Sequence, residues 1–308
     1  MVPELVGLLF GVGLLAYSSE RGVDHAVELA TALGIPAIVV GVVVVSVGTD
    51  VPEIANSILS SAMGHGDINV GDSLGSCLTQ ISLILGIIAI ASGGCAVDKE
   101  EIMELGRAEL MGLLLAIFIC KSGSISRLDA ALLISGYVLL VIAMRHYLLK
   151  NQAVQHIERR SRVGRHVLMF FICMSGVAIG SYFAITSIIS LSKEFQIPEY
   201  LVSFFALSVG TSLPELVVDL AAIRRGETGL AIGDIIGSNI VDSTLSIGIG
   251  PLISPIQFSG EIAFTTGLWA FVVSAAVILT LGLRRRLDRP AGVFFIGLYL
   301  LSYLLLFM

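Results

Sequence analysis

Residues 47–57 read VGTDVPEIANS, and residues 209–219 read VGTSLPELVVD. Each places a Gly-Thr pair, a proline and a glutamate inside a run otherwise apolar enough for the middle of a membrane. Slid by 162 positions, the chain falls into register with itself without a gap. Ile35-Pro36 meets Ile197-Pro198, Ser46-Val47-Gly48-Thr49 meets Ser208-Val209-Gly210-Thr211, and Pro52-Glu53 meets Pro214-Glu215. Further on, Gly71-Asp72 meets Gly233-Asp234, Gly75-Ser76 meets Gly237-Ser238, and Gly86 meets Gly248. Chance similarity between apolar runs pairs Leu with Val; it does not pair Gly, Pro, Thr and acids. The chain is an internal duplication.

The composition says what is duplicated. Of 308 residues, 56% are hydrophobic and 14% charged, and the mean hydropathy is +0.94, outside the range of soluble proteins. A membrane-spanning helix needs roughly 20 mostly apolar residues. Ten runs qualify, near 3–18, 35–62, 69–92, 105–121, 128–147, 166–190, 198–222, 230–253, 263–282 and 291–307. The longest polar stretch, about 148–165, reads as a loop. The first run lacks a basic leader and a clear cleavage site, so it is expected to be a span rather than a signal peptide. Five spans per copy is an odd number, so the second copy enters the membrane from the opposite side. The expected fold is an all-α integral membrane protein with ten transmembrane helices in two inverted-topology five-helix repeats. Residues 1–150 form the first repeat, 151–165 a basic cytoplasmic linker and 166–308 the second, inverted repeat. In transporters of this plan the site lies between the repeats near the bilayer midplane.

Basic residues favour the cytoplasmic side. With the N-terminus outside, 15 of the 18 Lys and Arg fall inside and only Lys121, Arg127 and Lys193 outside. A multi-pass cell-membrane protein with both termini extracellular is therefore expected. The segment KNQAVQHIERRSRVGRH (150–166) then sets topology or touches anionic lipid. Cys77, Cys95, Cys120 and Cys173 lie in or beside spans at spacings that suit neither zinc nor a disulfide framework. His25, His146, His156 and His166 read as solvated edge residues, and Trp269 as an interfacial anchor or a packing residue.

Pro52 has no N–H, so the carbonyl of Gly48 loses its helical partner, and Pro214 does the same to Gly210. Bare carbonyls at membrane depth need protein, a cavity or an ion to satisfy them, and hard cations prefer oxygen ligands. Asp72, Ser76 and Gln80 are spaced by four and share a helix face, as do Asp234, Ser238 and Asp242. Gly71, Gly75, Gly233 and Gly237 allow close helix approach. Seven carboxylates fall at membrane depth: Asp50, Glu53, Asp72, Glu215, Asp219, Asp234 and Asp242. Each costs about 2.5–3.5 kcal/mol on insertion scales. No Lys or Arg lies within those segments, so protons or bound cations must neutralise the charge. Asp219, mated to Ser57 and close to Arg224, is the weakest member.

The segments GTDVPEIANS…VGDSLGSCLTQISLILG and GTSLPELVVD…IGDIIGSNIVDSTLSIG resemble the α-repeats of the cation/Ca²⁺ antiporter superfamily, most closely its prokaryotic Na⁺/Ca²⁺ exchangers. The resemblance covers essentially the whole chain. It implies exchange of Ca²⁺ for Na⁺ by alternating access at a carboxylate site, with four cation positions between the second, third, seventh and eighth spans. Glu53 and Glu215 would be the shared central ligands. Thr49, Thr211, Ser212, Ser76 and Ser238 would supply hydroxyls, Asp242 a further ligand, and Ser46 and Ser208 backbone carbonyls. The first and sixth spans would be the sliding pair. Three departures stand out: Asp50 where the family has Ser, Gln80 where it has Asn or Asp, and Asp72 and Asp234 in place of Asn. Asp50, Glu53, Glu215 and Asp242 sum to −4 against +2 for one Ca²⁺ or +3 for three Na⁺. Such crowding predicts a proton on at least one of them in some states, which admits H⁺ as a co-substrate.

No cofactor, nucleotide or nucleic acid is expected, and no G-x-x-x-x-G-K-[ST] loop occurs in the chain. The alternatives are an exchanger that is H⁺-coupled or takes another divalent ion such as Mg²⁺ or Mn²⁺, a cation channel, and an intramembrane aspartyl protease. The protease reading rests on GHGD at 64–67, but the required Tyr-Asp partner is missing and the residues suit a turn. An enzyme is not expected.

Overall fold

The structure, a computed structural model, describes residues 2–32, 46–150, 163–224 and 228–306. Ile35-Pro36, most of the basic linker and Arg225 lie outside these residues.

The chain is almost wholly helical. Helix α1 (Val2–Ala32) runs well past the expected first span. A short α2 (Ser46–Thr49) breaks at Asp50 before α3 (Val51–Met63), which Gly64 ends with a left-handed φ of 81°. Helix α4 (Gly66–Leu78) passes through a π-helical turn, Thr79–Ile84, into α5 (Leu85–Ala91). Strand β1 (Cys95–Ala96), α6 (Lys99–Cys120), β2 (Ser124–Ile125) and α7 (Arg127–Lys150) complete the first half. The second half opens with α8 (Val163–Phe195) and α9 (Glu199–Val202), then a π-helical turn at Ser203–Leu207 and α10 (Ser208–Thr211). After a break at Ser212 come α11 (Leu213–Arg224) and α12 (Thr228–Ile240). A π-helical turn at Val241–Ser246 leads to α13 (Ile247–Ile253) and β3 (Ile256–Gln257). Helix α14 (Gly260–Arg284), β4 (Arg286–Leu287) and α15 (Arg289–Leu306) follow.

Among the described residues, six helical stretches are long and apolar enough to cross a membrane by length and composition: Gly66–Ala91, Arg127–Met144, Gly164–Phe195, Glu199–Arg224, Gly260–Arg284 and Arg289–Leu306. Polarity is distributed as in a molecule whose solvent is lipid. Large apolar side chains such as Leu9, Phe118, Leu128, Leu139, Phe171 and Leu283 stand exposed. Asp, Glu, Asn, Ser and Thr collect in the interior, packed among Leu74, Ile81, Tyr200 and Phe204. In water such an apolar exterior would aggregate.

The local irregularities repeat at the interval read in the sequence. The two helix breaks, Asp50 (φ −77°, ψ 8°) and Ser212 (φ −83°, ψ 11°), are mated positions, each two residues before a proline. The π turns Thr79–Ile84 and Val241–Ser246 are mated residue for residue. One expectation is corrected here. A backbone N–H at the second break reaches the Gly210 carbonyl, so this carbonyl is not left bare by Pro214. The helix end tightens on itself instead of baring an acceptor.

Two antiparallel ribbons tie the halves together. Strand β1 pairs with β4, placing Cys95 opposite Leu287, and β2 pairs with β3, placing Ser124 opposite Gln257. Helix α6 starts just after β1 and ends just before β2, and its 22 residues span about 33 Å at 1.5 Å per residue. The ribbons therefore sit at opposite ends of the molecule.

Helices α1 and α8 pack together along their length at a small-residue crossing. A Cβ on Gly11 would come 2.7 Å from the Ala184 nitrogen, and one on Gly180 would come 2.7 Å from the Gly11 carbonyl. Gly71 sits as tightly under the Tyr200 carbonyl, at 2.6 Å, and Gly75 under that of Phe204. His25 and His166, read as solvated, meet across α1 and α8 with their Nδ1 atoms 3.1 Å apart. Trp269, partly buried, packs against the core and donates to Ser302 Oγ at 2.6 Å.

Candidate cation site

The breaks at Asp50 and Ser212 and the two mated π turns surround one interior region. Thr49, Asp50 and Glu53 around the first break and Thr211, Ser212 and Glu215 around the second are all buried. Gln80 and Asp242 are the second residues of the two π turns. π-helical bulges often mark functional positions.

Carboxylate oxygens of Asp50, Glu53 and Asp242 all lie within 4.8 Å of one another, and the three side chains are buried. Asp50 and Glu53 come from the first half and Asp242 from the second. Glu215 lies against Asp50. Both oxygens of Asp50, both of Glu215, Oε2 of Glu53 and Oδ1 of Asp242 are buried without a hydrogen-bond donor. The remaining oxygens receive only neutral donors: Ser76 Oγ to Glu53 Oε1 at 3.3 Å, and Gln80 Nε2 to Asp242 Oδ2 at 3.1 Å. Removing a carboxylate from water costs several kcal/mol after relaxation, and among the described residues none of these four is offset by Lys, Arg or His. The group is arranged to receive positive charge.

The other expected residues fall into two sets. In the first, Ser76 Oγ is 3.4 Å from Thr211 Oγ1, Gln80 Nε2 is 3.5 Å from Ser212 Oγ, and Ser208 Oγ is 3.3 Å from Thr79 Oγ1. Thr49 is fully buried at the end of α2, where Ser46 is the first residue, and Ser238 is buried with an unpartnered hydroxyl. The second set borders the triad without joining it. Asp72 is already satisfied, accepting from Asn56 Nδ2 at 2.9 Å and from Thr211 Oγ1 at 3.2 Å. Asp234, 4% exposed, faces Asp219 instead. Asp219, expected near a membrane edge beside Arg224, is fully buried and neither of its oxygens has a donor.

Glu109 is absent from the sequence-based set. It is fully buried on α6, accepting from Asn239 Nδ2 at 2.8 Å through Oε1, and its Oε2 has no donor. Glu109 falls inside the apolar run 105–121, close behind the charged start of α6 (Lys99, Glu100, Glu101, Glu104, Arg107). Its position ten residues into that helix was the available signal. Asn56 was also missed; it joins Asp72 to α8 by accepting from Ser181 Oγ.

Buried acids without basic partners, inside a helical molecule with an apolar exterior, define an ion-translocating membrane protein. The comparisons with known proteins agree. The chain belongs to the family described as sodium/calcium exchanger protein, whose profile matches residues 4–145 and 165–308. It is 29% identical over 300 residues to the uncharacterized membrane protein MJ0091 of Methanocaldococcus jannaschii, covering 96% of this chain and 95% of that one. It is 28% identical to the putative antiporter CaxA of Alkalimonas amylolytica, covering 95% of each. It is 25% identical to the sodium/calcium exchanger MaX1 of Methanosarcina acetivorans, covering 97% of each. Among solved structures, the sodium-calcium exchanger NCX_Mj soaked with 100 mM Na⁺ and 10 mM Sr²⁺ matches with a TM-score of 0.64 at 28% identity, covering 98% of this chain and 97% of that one. The protein is a membrane transporter of the cation/Ca²⁺ antiporter class.

Proposed function

We propose that this antiporter exchanges Ca²⁺ for Na⁺ by alternating access at the Asp50–Glu53–Asp242 cluster, with Glu215 as fourth carboxylate. The observation that carries the reading is the convergence of acids from both halves, within 4.8 Å and out of water, with no basic neighbour. Ca²⁺ and Na⁺ are hard cations that take carboxylate and hydroxyl oxygens, so both would compete for Glu53, Glu215, Asp242, Thr49, Ser76, Thr211, Ser212 and Ser238. The Ser46 and Ser208 carbonyls and Gln80 would complete the ligand set. A filled site loses net charge and can pass through the barrier; an empty, ionised one is held back by its desolvation cost. That difference couples the two fluxes without ATP.

The site would sit near the midplane of ten transmembrane helices in two inverted repeats, residues 1–150 and 166–308. Support comes from the mated breaks and π turns and from the ribbons. Cys95 in β1 and its mate Gln257 in β3 fall at opposite ends of α6, as inversion requires. Both termini would be extracellular at the cell membrane.

The test is ⁴⁵Ca²⁺ uptake into proteoliposomes driven separately by outward Na⁺ and H⁺ gradients. Na⁺-driven uptake that is lost in Glu53→Gln and Glu215→Gln is expected. Uptake that persists in both variants would overturn the site. A second reading, H⁺ coupling, is favoured by Asp50, a buried acid without a donor where the family has serine; uptake driven by H⁺ alone would establish it.

A further inference from the structure

We propose that Asp219 and Asp234 form a second site for a hard cation, a waiting position one helical turn from the central carboxylates, toward the Arg224 end of α11. The proposal rests on the antiporter reading above.

The side chains of Asp219 and Asp234 are in contact, and both are buried. Asp219 follows Glu215 by four residues on α11, and Asp234 precedes Ser238 by four on α12. Each step is one turn, about 6 Å along the helix axis, and both steps lead toward the end where α11 gives way to α12. Asp234 in turn acts electrostatically on Asp50 and Glu215. A line of acids therefore runs from the centre to within about 8 Å of Arg224, the last residue of α11.

The mated positions are built differently. In the first half they are Ser57 and Asp72. There Asp72 is satisfied by Asn56 and Thr211, while Ser57 Oγ accepts from the Gly250 amide at 3.1 Å. The second half sets an acid against Asp234 where the first half keeps a hydroxyl, and it gives Asp219 no donor for either oxygen. A buried carboxylate kept for structure is supplied with donors, as Asp72 is. Asp219 instead keeps two unsatisfied oxygens beside a second carboxyl, a donor set suited to Ca²⁺ or Na⁺. Because only one half carries the pair, the site would serve one face of the membrane. It would hold an incoming cation near the surface until the central ligands are free.

The test is transport by the full-length protein in liposomes, reading half-saturating Ca²⁺ and Na⁺ at each face in turn. Asp219→Asn is expected to shift the ratio between the two faces by about tenfold, in the range of one lost charged ligand. Asp219→Ser, which copies the mated residue, should do the same. An unchanged ratio, equal shifts at both faces, or a change in pH dependence alone (a shared proton in place of a cation) would overturn the proposal. If neither variant folds, dicyclohexylcarbodiimide labelling of the wild-type protein decides: Ca²⁺ or Na⁺ should shield Asp219 where K⁺ does not, and labelling indifferent to all three overturns it. Glu215→Gln is measured alongside. Wild-type exchange by that variant would sink the central site itself, an outcome distinct from any result at Asp219.

Discussion

Glu109 and Asn239 show what a single residue contributes. The carboxylate on α6 accepts from an amide one position beyond Ser238, and so ties the ligand-bearing α12 to a helix outside the site. Removing it leaves the buried Asn239 amide without its acceptor, which costs about 1–3 kcal/mol. Glu109→Ala should therefore lower the thermal midpoint in detergent clearly more than Glu109→Gln, which keeps the Oε1 acceptor; equal midpoints would remove Glu109 from this role. Asp50 offers a second prediction at this scale. Asp50→Ser removes one charge from the cluster and restores the residue usual in the family, so the pH profile of exchange should flatten; the same profile at the same rate would show that Asp50 does not take part. Glu53 with Glu215, Ser76 with Ser238 and Asp72 with Asp234 stood out in the sequence because both copies share them, and all six are buried. Those missed or underrated belong to one copy only. Glu109 is mated to Phe271, Asn56 to Val218 and Asp219 to Ser57, so the repeat carried no signal for them.

Elements show the same division between what is local and what is not. The breaks were legible because a proline removes a specific hydrogen bond two residues downstream of each. What became of the Gly210 carbonyl was not legible, because the helix end reorganises to meet it. The full extents of α1 and α8 were also hidden, since polar side chains on their last turns end the apolar run before the helix ends. These two helices meet at Gly11 and Gly180, where backbone touches backbone. Gly180→Leu should overpack that crossing at a cost of about 1–3 kcal/mol. If α1 and α8 slide as a pair, exchange should fall further than the loss of folded protein explains. A transport rate per folded molecule equal to wild type would show that the crossing is only structural. At the α14–α15 end, Arg284 donates to both Asp288 oxygens, at 3.0 and 2.7 Å, and holds that carboxyl below the usual carboxylate range, helped by the Ala291 amide. A lowered folded value means the pair stabilises above the ordinary carboxylate pKa and is lost as pH falls through the folded one. Asp288→Asn should thus lower the thermal midpoint at neutral pH, and the gap from wild type should close in acid.

The whole molecule carries a built-in reporter of its own orientation. Cys95 lies in β1 and is partly exposed, whereas Cys77, Cys120 and Cys173 are buried. Its ribbon partner is Leu287, next to the basic run Arg284–Arg286, while the ribbon at the far end of α6 joins Ser124 to Gln257. By the charge rule the first ribbon would face the cytoplasm, because Lys99, Arg284, Arg285, Arg286 and Arg289 lie around it, against Lys121 and Arg127 at the other. A membrane-impermeant maleimide should therefore label wild-type Cys95 in inside-out vesicles and not in intact cells. In a Cys95→Ser background, Ser124→Cys should reverse that pattern. Gln257→Cys is the sharper probe, because Gln257 is the mate of Cys95: under inversion it labels from outside, whereas under a parallel repeat it would label from the same side as Cys95. Labelling of positions 95 and 257 from one face would leave the duplication standing and remove the inversion on which a shared central site depends.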